Sequence, residues 1–246
     1  MISYGVQTMI TPKLICFDYG ETLISEKKFD GVKGYELLLE YAESNPYHRS
    51  AADLAEIAKE MNEALGRFDP ARKHLIPAEV PDSAFQAYLL ESQGIQLKVP
   101  YSQLATAFWD AAAPGEATDG IEDFLAIVRK KKIKTCVISN ISFSGNIVEN
   151  RIRSLIPSHS FDFIISSCDY VFRKPNPKIF ELALEKAGTT AAQTWHCGDQ
   201  YLCDIEGAMQ AGIQPIWYTK GEKQFEQCEN GVITISEWKD LIGKLG

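Results

Sequence analysis

The chain has 246 residues, 45% of them hydrophobic and 24% charged, and a formal net charge of −8. This balance suits a globular protein with a substantial buried interior, and it argues against non-specific nucleic-acid binding, which needs clustered lysine and arginine. No stretch reaches the roughly 20 apolar residues of a membrane span, and the N-terminal MISYGVQTMITPK has no basic region followed by an apolar core, so no signal peptide is expected.

The first strand signal is LICFD (14–18), an apolar run that ends in Asp18 and breaks at Gly20, with Thr22 four residues after the aspartate. Residues 26–115 then carry helical periodicity. GYELLLEYAES, AADLAEIAKEMNEALGRF, SAFQAYLLESQG and YSQLATAFWDAAA read as helices, with joints at Pro70, Pro77, Pro81 and Pro100 and no strand expected between them.

From there strands and helices alternate. IEDFLAIVRKKK (121–132) is a helix whose basic end, Arg129 to Lys132, reads as solvated. The strand IKTCVIS (133–139) closes on Ser139 and Asn140, and NIVENRIRSLI (146–156) is the next helix. FDFIIS (161–166) is followed by a loop, RKPNP, that carries Lys174. PKIFELALEKAG (177–188) is a helix with Asn176 as N-cap, Pro177 at its first position and Gly188 just past its end. QTWHCG (193–198) leads into GDQYLCD, with Asp199 and Asp204, and the helix CDIEGAMQAG (203–212). QPIWYT (214–219) and GVITIS (231–236) complete the strands. His196, inside an apolar strand, reads as a packed core residue.

Short, continuously apolar strands separated by helices predict a doubly wound parallel α/β sheet covered on both faces. Residues 1–25 and 116–246 make up that core, and 26–115 an inserted, all-helical cap. Six cysteines, at 16, 136, 168, 197, 203 and 228, include no CxxC pair. Neither a disulfide framework nor a zinc site is expected, and a reducing, cytoplasmic setting is. Oligomeric state is not encoded in any recognisable pattern.

Ligands of such sheets bind at the carboxyl ends of the strands, where Asp18, Ser139, Asn140, Lys174, Asp199 and Asp204 all fall. These residue types suit a phosphate beside Mg²⁺. A hard divalent cation takes carboxylate oxygens, and Asp18 and Asp199 can converge on one. Ser139, the Asn140 amide and the Lys174 ammonium are donors for phosphate oxygens, and Asp18 is placed to attack phosphorus. Taken singly, each also has a plain reading as a turn former, a helix cap or a surface loop. No GxGxxG, P-loop or GxSxG elbow occurs.

The set CFDYGETL, VISN, RKPNPKIF and CGDQYLCDIEGAMQAG resembles, in order, the four motifs of the haloacid dehalogenase-like hydrolase superfamily. The position of the helical insert resembles that family's first cap type. The resemblance implies a Rossmann-like core, Mg²⁺ as cofactor and a small phosphorylated or anionic metabolite as partner. It implies Asp18 as nucleophile, Thr22 as orienter of the nucleophile's loop, and Lys174 as a residue steadying Asp18. It further implies Ser139, Asn140 and Lys174 around the transferring phosphate. The metal would be held by Asp18, the Gly20 backbone carbonyl and Asp199, with Asp204 in or next to its second shell.

One position departs from the family's phosphatases, which carry a second aspartate two residues after the nucleophile as proton donor. Here that residue is Gly20. Four explanations follow. The first is cleavage of esters whose leaving group needs little protonation, or with an acid borrowed from Glu21 or from the cap. The second is cleavage of a carbon–phosphorus bond with a cap lysine, for which Lys27, Lys28, Lys33 and Lys59 are candidates. The third is dehalogenation, against which the GDxxxxD pair argues. The fourth is binding of a phospho-ligand without turnover, against which a retained buried charge cluster argues.

Overall fold

Strand β1 (Leu14–Phe17) has all four of its residues buried, as a strand covered on both faces requires. It lies near the middle of the computed structural model, which describes residues 11–67, 78–220 and 231–245. Pro70, Pro77 and Cys228 lie outside the described residues. A tight turn leads from β1 into β2 (Ile24–Glu26), and the helical insert follows.

Four helices make up the insert: α1 (Gly31–Glu40), α2 (Ala51–Ala64), α3 (Asp82–Ser92) and α4 (Tyr101–Ala112), each where the periodicity places one. Asp30 caps α1 through the Val32 N–H, and Ser50 and Asp53 form a capping box at α2. The insert is not wholly helical, contrary to the sequence reading. Strands β3 (Ala42–Ser44) and β4 (Gln96–Leu97) pair antiparallel within it. At its base β2 pairs antiparallel with β5 (Gly115–Ala117), so its two chain connections form one ribbon. These strands have two or three residues each, too few to show an alternation in sequence.

The chain then alternates as expected: α5 (Ile121–Lys130), β6 (Lys134–Ser139), α6 (Gly145–Leu155), β7 (Phe163–Ser166), the short α7 (Ser167–Tyr170) and α8 (Pro177–Ala187). Asn176 caps α8 through the Lys178 N–H, with Pro177 at its first position. After β8 (Thr194–Gly198) comes a π-helical turn, Tyr201–Glu206, continued by α9 (Gly207–Gln210). Strands β9 (Gln214–Tyr218) and β10 (Ile233–Ile235) and the helix α10 (Lys239–Ile242) finish the fold.

The six-stranded sheet has the order β10-β9-β8-β1-β6-β7, and every pairing in it is parallel. Because side chains alternate across a strand, Ile15 and Phe17 join one core with Phe124, Val128 and Ile152. Leu14 and Cys16 join a second with Ile138, Ile179 and Phe180. Burying such side chains contributes about 1.5–3 kcal/mol each before entropy is counted, enough to fix the sheet's register. Buried apolar residues of the insert, among them Tyr35, Leu38, Leu89 and Phe108, join the first core. Trp109 of α4 stacks on Phe143 at 4.3 Å and packs against Tyr19 at 5.2 Å. Among the described residues no helix is long and apolar enough to cross a membrane.

Candidate active site

Parallel strands deliver their carboxyl ends to one edge, and β1, β6 and β8 bring Asp18, Ser139 and the Asp199 loop there, while Lys174 follows β7. A cleft of about 270 Å³ opens at that edge, lined by Asp18, Tyr19, Gly20, Glu21, Glu26, Ser139, Asn140, Ile141, Lys174, Gln200, Cys203 and Asp204.

Lys174 organises its floor. The ammonium donates to Asp18 Oδ1 at 2.6 Å, to Asp204 Oδ1 at 2.6 Å and to the Ile138 carbonyl at 2.8 Å. All three of its hydrogens therefore have acceptors. The lysine is 3% exposed, so its charge is matched by protein and not by water.

The Asn140 side chain fixes the loop that carries Lys174. Its Oδ1 accepts from the Lys174 N–H at 2.7 Å, and its Nδ2 donates to the Lys174 carbonyl at 2.8 Å. The sequence reading assigns this amide to the substrate; the structure engages both of its ends in holding Lys174. Ser139 is buried and lines the cleft. Thr22 does not line it: the residue is fully buried, its hydroxyl has no hydrogen-bond partner, and its carbonyl accepts from Thr118 Oγ1 at 2.7 Å.

Asp204 uses both oxygens on protein donors. Oδ1 takes Lys174 and, at 3.0 Å, His196 Nε2, while Oδ2 accepts the Gln200 N–H at 3.0 Å. Gly198 makes this possible, because a Cβ there would lie 2.2 Å from Asp204 Cγ. Asp199 differs, since its Oδ1 is buried without a partner. Asp18, Asp199 and Asp204 offer carboxylate oxygens within 4.8 Å of one another, a donor set suited to a hard cation. Asp204 is engaged by three protein donors, against one at Asp18 and none at Asp199 Oδ1, so Asp18 and Asp199 have the more oxygen to give.

The electrostatics follow. Burial pushes the Asp18 carboxyl up to about 6, with Lys174 pulling against it and Asp204 adding to it. Burial and the charges of Asp18 and Asp204 push Asp199 up to about 7. Burial opposes the charge of Asp204 too, yet Lys174 and His196 hold it well below the usual carboxylate range. A cation placed between Asp18 and Asp199 favours the ionised form of both.

Of the other sequence candidates, Glu21 lines the cleft with both oxygens engaged. Glu21 faces the Glu26 N–H through Oε1 at 3.1 Å and forms an ion pair with Lys220 through Oε2. None of Lys27, Lys28, Lys33 and Lys59 lines the cleft; Lys33 pairs with Asp30 and Lys59 with Glu56. At Gly20 a Cβ would meet nothing within 4 Å.

Two groups escape the sequence reading. His196 packs edge-on against Phe180 at 5.0 Å, as a core residue does, but it also bonds Asp204. Arg151 of α6 is 0% exposed and reaches the base of the insert. It stands 3.1 Å from Glu26 Oε1 and 3.5 Å from Asp110 Oδ1, donates to the Ala113 carbonyl, and lies 4.1 Å over the Trp109 ring. Its signal was an arginine between Val148 and Ile152 on the apolar face of α6.

A parallel α/β sheet that gathers an aspartate, a lysine and an acidic pair at one edge defines a hydrolase of the haloacid dehalogenase type. The chain belongs to the haloacid dehalogenase-like hydrolase family, whose model matches residues 12–212. It is 29% identical over 126 residues to human haloacid dehalogenase-like hydrolase domain-containing protein 3, covering 51% of this chain and 49% of that one. Over 119 residues it is 24% identical to a phosphoserine phosphatase of Thermus thermophilus, covering 48% and 47%. The match thus spans about half the length of these curated relatives. Among solved structures, a 2-haloacid dehalogenase from Pseudomonas syringae superposes with a TM-score of 0.60 at 25% identity, covering 95% of this chain and 98% of that one. A HAD phosphatase from Thermococcus onnurineus shares the fold with a TM-score of 0.60 at 18% identity, covering 95% and 97%.

Proposed function

We propose that the chain is a Mg²⁺-dependent phosphatase that cleaves a small phosphorylated metabolite through an aspartyl phosphate on Asp18. The observation that carries the reading is Asp18 clamped by Lys174 at the cleft floor, with the unpartnered oxygen of a second carboxylate, Asp199, in the same cluster. Phosphatase relatives support it, as does an acidic set suited to a hard cation.

In this reading Asp18 and Asp199 hold the cation with the Gly20 carbonyl, and Asp204 holds Lys174. When bound, Mg²⁺ supplies positive charge against the transferring phosphoryl group. Lys174 keeps the Asp18 carboxylate oriented and offers its charge to the phosphate. Ser139 donates to a phosphate oxygen. The insert, taken as a cap of the family's first type over about residues 26–115, sets the substrate's shape, and the cytoplasm is its compartment.

The test is turnover of p-nitrophenyl phosphate with and without Mg²⁺, beside Asp18→Asn. Metal-dependent turnover lost in the variant is expected. Dehalogenation is the second reading, favoured by Gly20 together with the dehalogenase superposition. Halide release from a 2-haloacid without phosphatase activity would decide for it.

A further inference from the structure

Without an acid at position 20, an ester oxygen leaving phosphorus needs a proton from elsewhere. The titratable side chains that line the cleft, among the described residues, can be taken in turn. Asp18 is the nucleophile, and Lys174 and Asp204 hold it in place. Glu21 is committed to Lys220 and to the Glu26 N–H. Tyr19 spends its hydroxyl on Glu26 Oε1 at 3.3 Å. Cys203 receives the Asn140 Nδ2 at 3.8 Å. Glu26 remains.

Glu26 ends β2, on the ribbon that joins the sheet to the helical insert. Its side chain is 24% exposed, with Arg151 Nη2 at 3.1 Å from the same Oε1 that receives Tyr19. One carboxyl oxygen is thus fixed by two donors, which aims the group. The nucleophile and Glu26 line one cleft from different elements, and acid help needs a proton donor within reach of the leaving oxygen.

We infer that Glu26 performs the proton transfers for which position 20 has no side chain. The inference rests on the phosphatase reading of the site. Asp18 attacks phosphorus, the bond from phosphorus to the ester oxygen breaks, and that oxygen takes the Glu26 proton to leave as an alcohol. Glu26, now a carboxylate beside Arg151, accepts a proton from the water that attacks the phosphorylated Asp18. The bond between Asp18 and phosphorus breaks, inorganic phosphate departs, and Asp18 and Glu26 return to their starting forms. Burial holds the Glu26 carboxyl above its ordinary value, although Arg151 pulls the other way and Tyr19 and Trp109 hydrogen-bond it.

The experiment compares the full chain with Glu26→Gln on two esters, p-nitrophenyl phosphate and the poorer leaving group of phenyl phosphate. The expected loss in kcat/KM is about 100-fold or more on phenyl phosphate and several-fold smaller on p-nitrophenyl phosphate. Gly20→Asp, placed in the Glu26→Gln background, should restore at least about tenfold on phenyl phosphate. A Glu26→Gln protein with equal losses on both esters, or with none, overturns the inference while leaving the phosphatase reading in place. So does an inactive variant that Gly20→Asp does not recover. A wild-type chain that turns over neither ester overturns both.

Discussion

Lys174 Nζ lies 2.6 Å from Asp18 Oδ1, and this contact joins the stability of the site to its chemistry. The same ammonium balances Asp204 at 2.6 Å, so removing it strands two buried carboxylates. Lys174→Met should cost about 3–5 kcal/mol, the loss typical when one partner of a buried charge network is removed. Urea unfolding measures it. Phosphate-ester turnover should vanish in the same variant, and a stability change within about 0.5 kcal/mol would show that the cluster is not held as described.

Gly20 leaves open space where the family's phosphatases have their second aspartate, and a Cβ there meets nothing within 4 Å. Gly20→Asp should therefore fold and gain about 10- to 100-fold in kcat on alkyl phosphates, within the usual worth of acid–base help. Steady-state kinetics on glycerol phosphate checks it, and the gain should shrink for p-nitrophenyl phosphate.

The pH behaviour of the metal-free protein follows from Asp18 and Asp199. Their carboxyls lie at about 6 and about 7, against 3.8 for the free side chain. The folded state therefore binds more protons than the unfolded one in that window. Stability contributed by these groups is complete below the unfolded value and is lost as pH rises through about 6 to 7. Asp204, held low, does not titrate there. Metal binding displaces those protons, so the Tm gain from Mg²⁺ should be larger at about pH 8 than at about pH 5. Asp199→Asn should remove the gain and raise the metal-free Tm at the higher pH.

Arg151 places a second buried charge at the base of the insert. It faces Glu26 and Asp110, which are partly exposed, so Arg151→Met should cost about 3 kcal/mol, at the lower end for a broken buried pair. Thermal melts give the loss. The variant should also turn over phenyl phosphate more slowly, because Glu26 loses one of the two donors that aim it.

Much of this arrangement was legible in the sequence. The apolar runs of β1, β6 and β8 are buried on both faces, so their patterns are unbroken and their carboxyl ends predict the site. The helix α8 announced both its ends, through Asn176, Pro177 and Gly188. What stayed hidden depends on contacts between residues far apart in the chain. Glu26 and Arg151 are separated by the whole insert, and no spacing rule connects them. The amide of Asn140 looked like a substrate donor because only the fold shows that Lys174 occupies both its ends. The π-helical turn at Tyr201–Glu206 overlaps the first turn of the plain helix that the pattern predicts over 203–212. A wider turn uses the same residue types as an α-helix, so the pattern cannot tell them apart.

The stack of Trp109 on Phe143, with Tyr19 packed against the same indole, has a thermodynamic consequence. An insertion joined to its host by two strands alone could melt by itself. Here the largest ring of α4 packs against two rings supplied by the sheet side, one of them next to the nucleophile. Neither part can lose its structure without exposing apolar surface of the other, which is the condition for all-or-none behaviour. Calorimetry should accordingly record one heat-absorption peak, and excising the helices would leave the sheet with an open hydrophobic face.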